Sequence, residues 1–330
     1  MIRRFGVQAD GRAVDAVTLA GGGLTATVLT RGAILNDLRL TGVPWSVVLG
    51  APDLAPYEAG MAYYGAIVGP VANRISRGRA EIAGRTCVFE ANAHGILLHG
   101  GATGTHAQVW EIAARDAASV TLATDLPDGL GGFPGNRHLR ATYALPGDGV
   151  LELTIEADTD APTLLNLAHH GYWNLDGTPD YTGHRLRIMA ERYTPVDDLL
   201  IPTGETAPVA GTPLDFRAAR ALAPGRDARV DHNFCTGDAR GGLRPVLELT
   251  GTSGVALAVE TTEPGLQVFD GGNGAAAAFT GHDGRGLGPF AGMAIEPQCW
   301  PDAPHNPGFP PILHGPDTPY RQVTRFRLTR

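Results

Sequence analysis

Three short segments carry side chains suited to moving protons near neutral pH. His99 lies in LLHGG (97–101), where two glycines behind the imidazole let the backbone come close to a ligand. His169 and His170 lie in NLAHHGYWNL (166–175), flanked by aromatic rings and asparagines of the kind that stack on sugar C–H faces and bond hydroxyls. Glu296 lies in GMAIEPQCWPD (292–302), behind an apolar run and ahead of a proline, which predicts a glutamate ending a buried strand at the mouth of a pocket. Histidine is the commonest acid or base at neutral pH, and a carboxylate is its frequent partner. Taken singly, each histidine segment equally describes a core or strand-end imidazole, and Glu296 a surface strand end. Asp231 in DHNF (231–234) and Gln267 in TTEPGLQVFDGGN (261–273) are further polar residues at apolar strand edges. Isolated histidines such as His282 and His314 read as structural or solvated. On a strand, His94 with His99 and His169 with His170 would point to opposite faces, so chelation from one strand is awkward and no metal site is expected.

The elements that must position these residues read as strands. Period-2 alternation recurs in 24–30, 79–90, 119–126, 149–159, 246–262 and 320–330, each bounded by Gly, Pro, Asp or Asn. IAGRT (82–86) and LTGTSGVA (249–256) read as hairpin turns. With 45 glycines and 25 prolines in 330 residues the chain is cut into short pieces. Only two short helices are expected, at 53–59 and 215–223, the second opening on Asp215 as a cap. The predicted fold class is all-β, a large antiparallel β-sandwich with few short helices, and residues 1–330 read as a single domain. The Pro/Gly tract at 297–319 is a long loop near the carboxyl end, of the kind that more often serves function.

Composition removes whole classes of activity. All 26 basic residues are arginine, so Schiff-base aldolases, pyridoxal-phosphate enzymes and lysine-bearing P-loops are excluded. A net charge of −8 argues against nucleic acid or an anionic membrane as partner. Arg74, Arg77 and Arg79 form the nearest thing to a basic cluster, which serves equally well as a solvated strand end. Cys87, Cys235 and Cys299 fit neither a disulfide framework nor a metal knuckle and read as free thiols. Gln8, Asp10, Arg12 and Asp15 interrupt the first residues, so no signal peptide is expected, and a cytoplasmic location follows.

In order along the chain, these segments resemble the aldose 1-epimerases, the galactose mutarotase family. RGAILNDLRL (31–40), YYGAIVGPVANRISRG (63–78), LHGG (98–101), NLAHHGYWNLDG (166–177), RYTPVDDLLIPTGETAPVAGTPLDFR (192–217), DHNF, TTEPGLQVFDGGN and AIEPQCWPDAPHNPGFP (294–310) carry the resemblance over nearly the whole chain. It implies a supersandwich of β-sheets and reversible interconversion of the α and β anomers of a free aldose such as galactose or glucose. It also implies that Glu296 is the catalytic base, His170 the catalytic acid and His99 an assistant at the ring oxygen and C1 hydroxyl. Asn73, Arg74, Asp231 and Gln267 fall on positions that hold sugar hydroxyls. No cofactor or metal is implied, and the partner is a small monosaccharide, with neither nucleic acid nor membrane, for a monomer or homodimer. An ionised glutamate and an imidazole held protonated by a nearby carboxylate suit the chemistry. Pro70, Ile96, Leu97, His169, Gly171 and Trp173 depart from the family's usual residues, which leaves the preferred aldose open. The competing readings are a non-catalytic sugar sensor, a glycoside-processing enzyme built on Glu296 and Asp231, and a sugar-phosphate epimerase with Arg74 on the phosphate.

Overall fold

Alternation in the sequence becomes alternation in burial. In the strand Val150–Thr159 the side chains of Leu151, Leu153, Ile155 and Ala157 are buried, while Glu152, Thr154, Glu156 and Asp158 reach toward solvent. The computed structural model describes residues 1–330 and contains strands and five short 3₁₀ turns, with no α-helix. The largest sheet has nine strands, in the spatial order 111–115, 119–126, 137–147, 150–159, 320–329, 256–261, 244–250, 185–188 and 220–221. All of its pairings are antiparallel. A four-stranded sheet of residues 2–40 and several two-stranded ribbons complete the framework.

A six-stranded sheet positions the chemistry. Its order is 172–173, 293–298, 265–269, 231–235, 192–193 and 207–208. Leu266, Val268, Met293, Ile295 and Phe234 join one apolar cluster with Leu153, Ile155, Tyr143, Val259 and Phe326 of the nine-stranded sheet. The intervening positions, Asp231, Gln267 and Glu296, therefore lie on the opposite face of the pleat. Gln267 stands opposite Glu296 on the neighbouring strand, and Asp231 opposite Phe269. The apolar residues that anchor the sheet thus fix which face the polar ones occupy.

Both expected hairpins form: Arg79–Ile82 pairs with Arg85–Val88, and Arg244–Thr250 with Ala256–Thr261. The expected helices do not. Residues 53–59 make only a 3₁₀ turn, Ala55–Glu58, with Pro56 in its first positions. At 215–223 the Asp215 carboxylate accepts hydrogen bonds from the Arg217 backbone and side chain, forming a local turn in place of a helix cap. Arg220–Ala221 then runs as an edge strand beside Arg185–Leu186. Glu296 also differs from expectation: it sits inside the strand Met293–Gln298, which continues through Pro297. No helix is long and apolar enough to cross a membrane.

Candidate active site

Five chain segments bring His99, His170, Glu296, Asn73, Arg74 and Asp231 to the lining of a cavity of about 450 Å³. His170 is fixed through its backbone, donating to the Ala66 carbonyl at 2.8 Å and accepting from the Gly65 N–H at 2.9 Å. Its neighbour His169 turns the other way, into the core, with ring centroids 6.3 Å from Tyr143 and 5.6 Å from Phe326. Gly171 is the price of that inward ring: a Cβ there would lie 2.4 Å from His169 Cε1. His169 and Gly171, two of the unusual residues, are therefore one packing solution.

His99 and Asn73 hold each other. The His99 N–H donates to the Asn73 carbonyl at 2.8 Å, and the Asn73 N–H donates to His99 Nδ1 at 3.1 Å. Both residues adopt left-handed backbone angles, φ 52° and 59°, a conformation costly for non-glycine residues and concentrated at functional sites. Because Nδ1 accepts a hydrogen bond, neutral His99 carries its proton on Nε2 and presents a donor. His99, His170 and Glu296 place one possible ligand atom each within 4.8 Å of one another. A protonated Nε2 cannot coordinate a cation, so this trio fits proton transfer better than metal binding.

Burial sets the charge state. His170 Nε2 lies 3.6 Å from Glu296 Oε1, with both side chains almost wholly buried. Desolvation pushes His170 down to about 4. Desolvation, reinforced by the Asp231 carboxylate and opposed by Arg74, raises Glu296 well above the ordinary carboxylate range. Desolvation also holds His99 well below an ordinary histidine, with His170, Arg74 and His106 adding to the effect. Burial thus opposes both charges of the expected pair and favours the neutral arrangement of its one shared proton over ionised glutamate with protonated histidine. The two remain able to exchange that one proton.

Around the rest of the cavity, Arg74 Nη1 donates to Asn73 Oδ1 at 3.3 Å. Gln267, on the same face of the sheet, does not line the cavity; its Nε2 donates to Asp231 Oδ1 at 2.5 Å and so supports that carboxylate. Sequence reasoning singled out neither Tyr63, Tyr172, Phe269, Leu200, Arg229 nor Asn273, all of which line the cavity. Tyr63 packs against both proton-handling rings, with centroids 4.7 Å from His99 and 6.0 Å from His170. A signal existed for Tyr172, next to the histidine pair, and for Tyr63, beside the Ala-Asn-Arg segment. None existed for Arg229. A separate cleft at Trp45, Asn174 and His282 brings no comparable acid and base together.

This geometry can be set beside known proteins. The family model described as Aldose 1-epimerase matches residues 15–327. The chain belongs to the aldose 1-epimerase family. It is 34% identical to the galactose mutarotase of Rattus norvegicus over 97% of this chain and 95% of that one. To the aldose 1-epimerase of Escherichia coli it is 32% identical, over 97% and 96%. Among solved structures, an aldose epimerase homologue from C. elegans superposes with a TM-score of 0.87 at 28% identity, covering 96% of this chain and 99% of that one. A galactose 1-epimerase from Lactobacillus acidophilus gives 0.83 at 25% identity, covering 100% and 98%.

Proposed function

We propose that this aldose 1-epimerase interconverts the α and β anomers of a free hexose such as galactose or glucose, with Glu296 and His170 as base and acid. The observation that carries the assignment of roles is the buried Glu296–His170 pair in a cavity that Asn73, Arg74 and Asp231 line together with the rings of Tyr63, Tyr172 and Phe269. Glu296 takes the proton of the C1 hydroxyl while His170 protonates the ring oxygen, and the ring opens to the aldehyde. Rotation about C1–C2 and the reverse transfers close the ring on the other face. Each opening or closing of the C1–O5 bond is coupled to proton transfers between sugar oxygens and side chains of this chain. His99 Nε2–H donates to the oxygen that gains charge, and Asn73, Arg74 and Asp231 hold the remaining hydroxyls.

Burial favours the proton on Glu296, which is the arrangement belonging to the open-chain sugar. Binding the cyclic form must move that proton to His170, and Arg74 beside the carboxylate favours the shift. Polarimetry or proton NMR of α-D-galactose and α-D-glucose tests the assignment. Glu296→Gln and His170→Asn are each expected to lower kcat by ~10²–10⁴-fold. Retention of most of the activity by both variants would refute these roles. Sugar binding without faster anomer exchange would instead support a sensor, and release of reducing ends from an oligosaccharide a glycoside-processing enzyme. A cytoplasmic monomer or homodimer remains part of this proposal, to be checked by fractionation and sedimentation.

A further inference from the structure

A second layer of polar side chains lies next to the base. On the cavity face of the six-stranded sheet, pairing sets three rows across neighbouring strands: Asp231, Phe269 and Ala294; Asn233, Gln267 and Glu296; Cys235, Gly265 and Gln298. The first two rows contribute Asp231, Phe269 and Glu296 to the cavity lining. Asn233 and Gln298 line no part of it and are 1% and 0% exposed. All the polar atoms of their two amides lack a hydrogen-bond partner within the protein. Glu296 adds one more: its Oε1 lies 3.6 Å from His170 Nε2, while its Oε2 is buried without a partner.

The chain is shaped around this layer. At Gly265, in the middle of the third row, a Cβ would stand 2.3 Å from Asn233 Oδ1 and 3.0 Å from the Gln298 carbonyl oxygen. Any other residue there would displace the Asn233 amide, so the glycine lets Asn233 lean diagonally toward the row of Gln298. The same Cβ would lie 2.9 Å from Trp300 Cδ1, and Trp300 is fixed by its Nε1 donating to the Pro264 carbonyl at 2.9 Å. Trp300, Phe309 and Cys235 belong to one apolar cluster, which caps the layer beyond the third row. Pairing the two amides with each other would still leave one N–H of each, and Glu296 Oε2, unmet. Buried polar groups are met by protein or by ordered water, and a buried water needs the several polar partners that this layer offers.

We propose that Asn233 and Gln298 hold internal water against the second carboxyl oxygen of Glu296, and thereby act as positioning residues for the base. This rests on the epimerase reading of Glu296. Water anchored by the two amides donates to Oε2, which fixes the carboxyl plane with Oε1 toward His170. The same hydrogen bond favours the ionised glutamate. Among the groups around this carboxyl, Arg74 also favours ionisation and Asp231 opposes it, while burial holds His170, His99 and Tyr172 neutral. The water keeps Glu296 available as an ionised base in surroundings that otherwise oppose the charge.

Gln298→Met and Asn233→Leu keep the size of each side chain and remove its amide. Both are expected to lower kcat for anomerisation of α-D-glucose about tenfold, the loss of one hydrogen bond to a charged group, with KM unchanged within about twofold. The alkaline limb of kcat/KM should move up by about one pH unit, because the ionised carboxyl loses its support. A high-resolution crystal structure of the wild type should show ordered water within hydrogen-bond reach of Glu296 Oε2 and of both amides. Unchanged kcat and limb in both variants, or a fall in kcat and stability with the limb unmoved, would overturn the proposal. So would a crystal structure in which no water touches Oε2, and that result decides even where neither variant folds. If the wild type anomerises no sugar, the epimerase reading fails by itself. The infrared carboxyl band of Glu296, identified by its loss in Glu296→Gln, then tests the contact without turnover: a shift in Gln298→Met supports it, and an unmoved band overturns it.

Discussion

Replacing His169 with leucine should make the fold more tolerant of acid. The imidazole is buried, neither ring nitrogen has a hydrogen-bond partner, and desolvation followed by the neighbouring His170 pushes it down to about 3. In the unfolded chain it titrates near ~6.5. A group depressed on folding contributes stability that is present above the unfolded value and is lost as pH falls toward the folded one. At pH 5 the chain is about 1.5 pH units below the unfolded value, and at about 1.4 kcal/mol per unit the wild type forfeits ~2 kcal/mol through this side chain. Almost none is forfeited at pH 7. Urea unfolding of wild type, His169→Leu and His169→Asn at pH 7, 6 and 5 provides the measurement. Both variants lack the titrating group, so both should lose about 2 kcal/mol less than wild type between pH 7 and 5, whatever their stabilities at pH 7. The other buried histidines contribute equally to all three proteins and cancel. Parallel pH dependences for the three would refute the claim that His169 is held neutral by burial.

The pH dependence of kcat/KM should show its alkaline limb above the range of an ordinary histidine, because burial raises the proton affinity of Glu296, the partner with which His170 shares its proton. A limb near ~6.5 would mean that an exposed-type imidazole governs the rate. Arg240→Met leaves the Glu263 carboxylate, fully buried and otherwise held by Arg240 Nε and Nη2 at 2.6 and 2.9 Å, without its cation. Calorimetry should show a loss of about 3–5 kcal/mol, and Arg240→Met with Glu263→Met together a much smaller one. Asp176→Ala removes the acceptor of the Thr252 N–H, Thr252 hydroxyl and Ser253 N–H, at 2.7, 2.7 and 2.9 Å. Hydrogen exchange should then accelerate at residues 252–255 before the rest of the sheet, with a stability loss of about 2–3 kcal/mol.

The strands were legible because half-buried sheets impose a two-residue period on composition, and 150–159 or 320–329 show it plainly. The helix expected at Asp215 was not, because the same side chain serves a turn as well as a cap, and only the position of Arg217 decides between them. His99, His170, Glu296, Asn73, Arg74 and Asp231 could be named from their segments, since polar residues inside apolar strand or glycine-rich contexts stand out. Gln267 carried the same signal and shares the face of Asp231 and Glu296, but its amide is taken up by the Asp231 carboxylate, a pairing that the segment alone does not reveal. Arg229 was invisible, because its placement depends on Asp270, 41 residues away. The effect of burial on the Glu296–His170 pair was equally out of reach, since residue type fixes a reference affinity and the folded surroundings move it.

The pleat of the strand Met293–Gln298 makes two failures inseparable. Ile295 faces the packed interior and Glu296 the cavity, so inserting or deleting one residue upstream within the strand would exchange their faces. A carboxylate would be driven into hydrocarbon in the same event that removed the base. Frameshifted registers of this strand therefore leave no folded but inactive protein behind. Within this strand, lineages that give up the chemistry while keeping the scaffold do so by point replacement at Glu296, and changes of chain length must accumulate in the turns at either end.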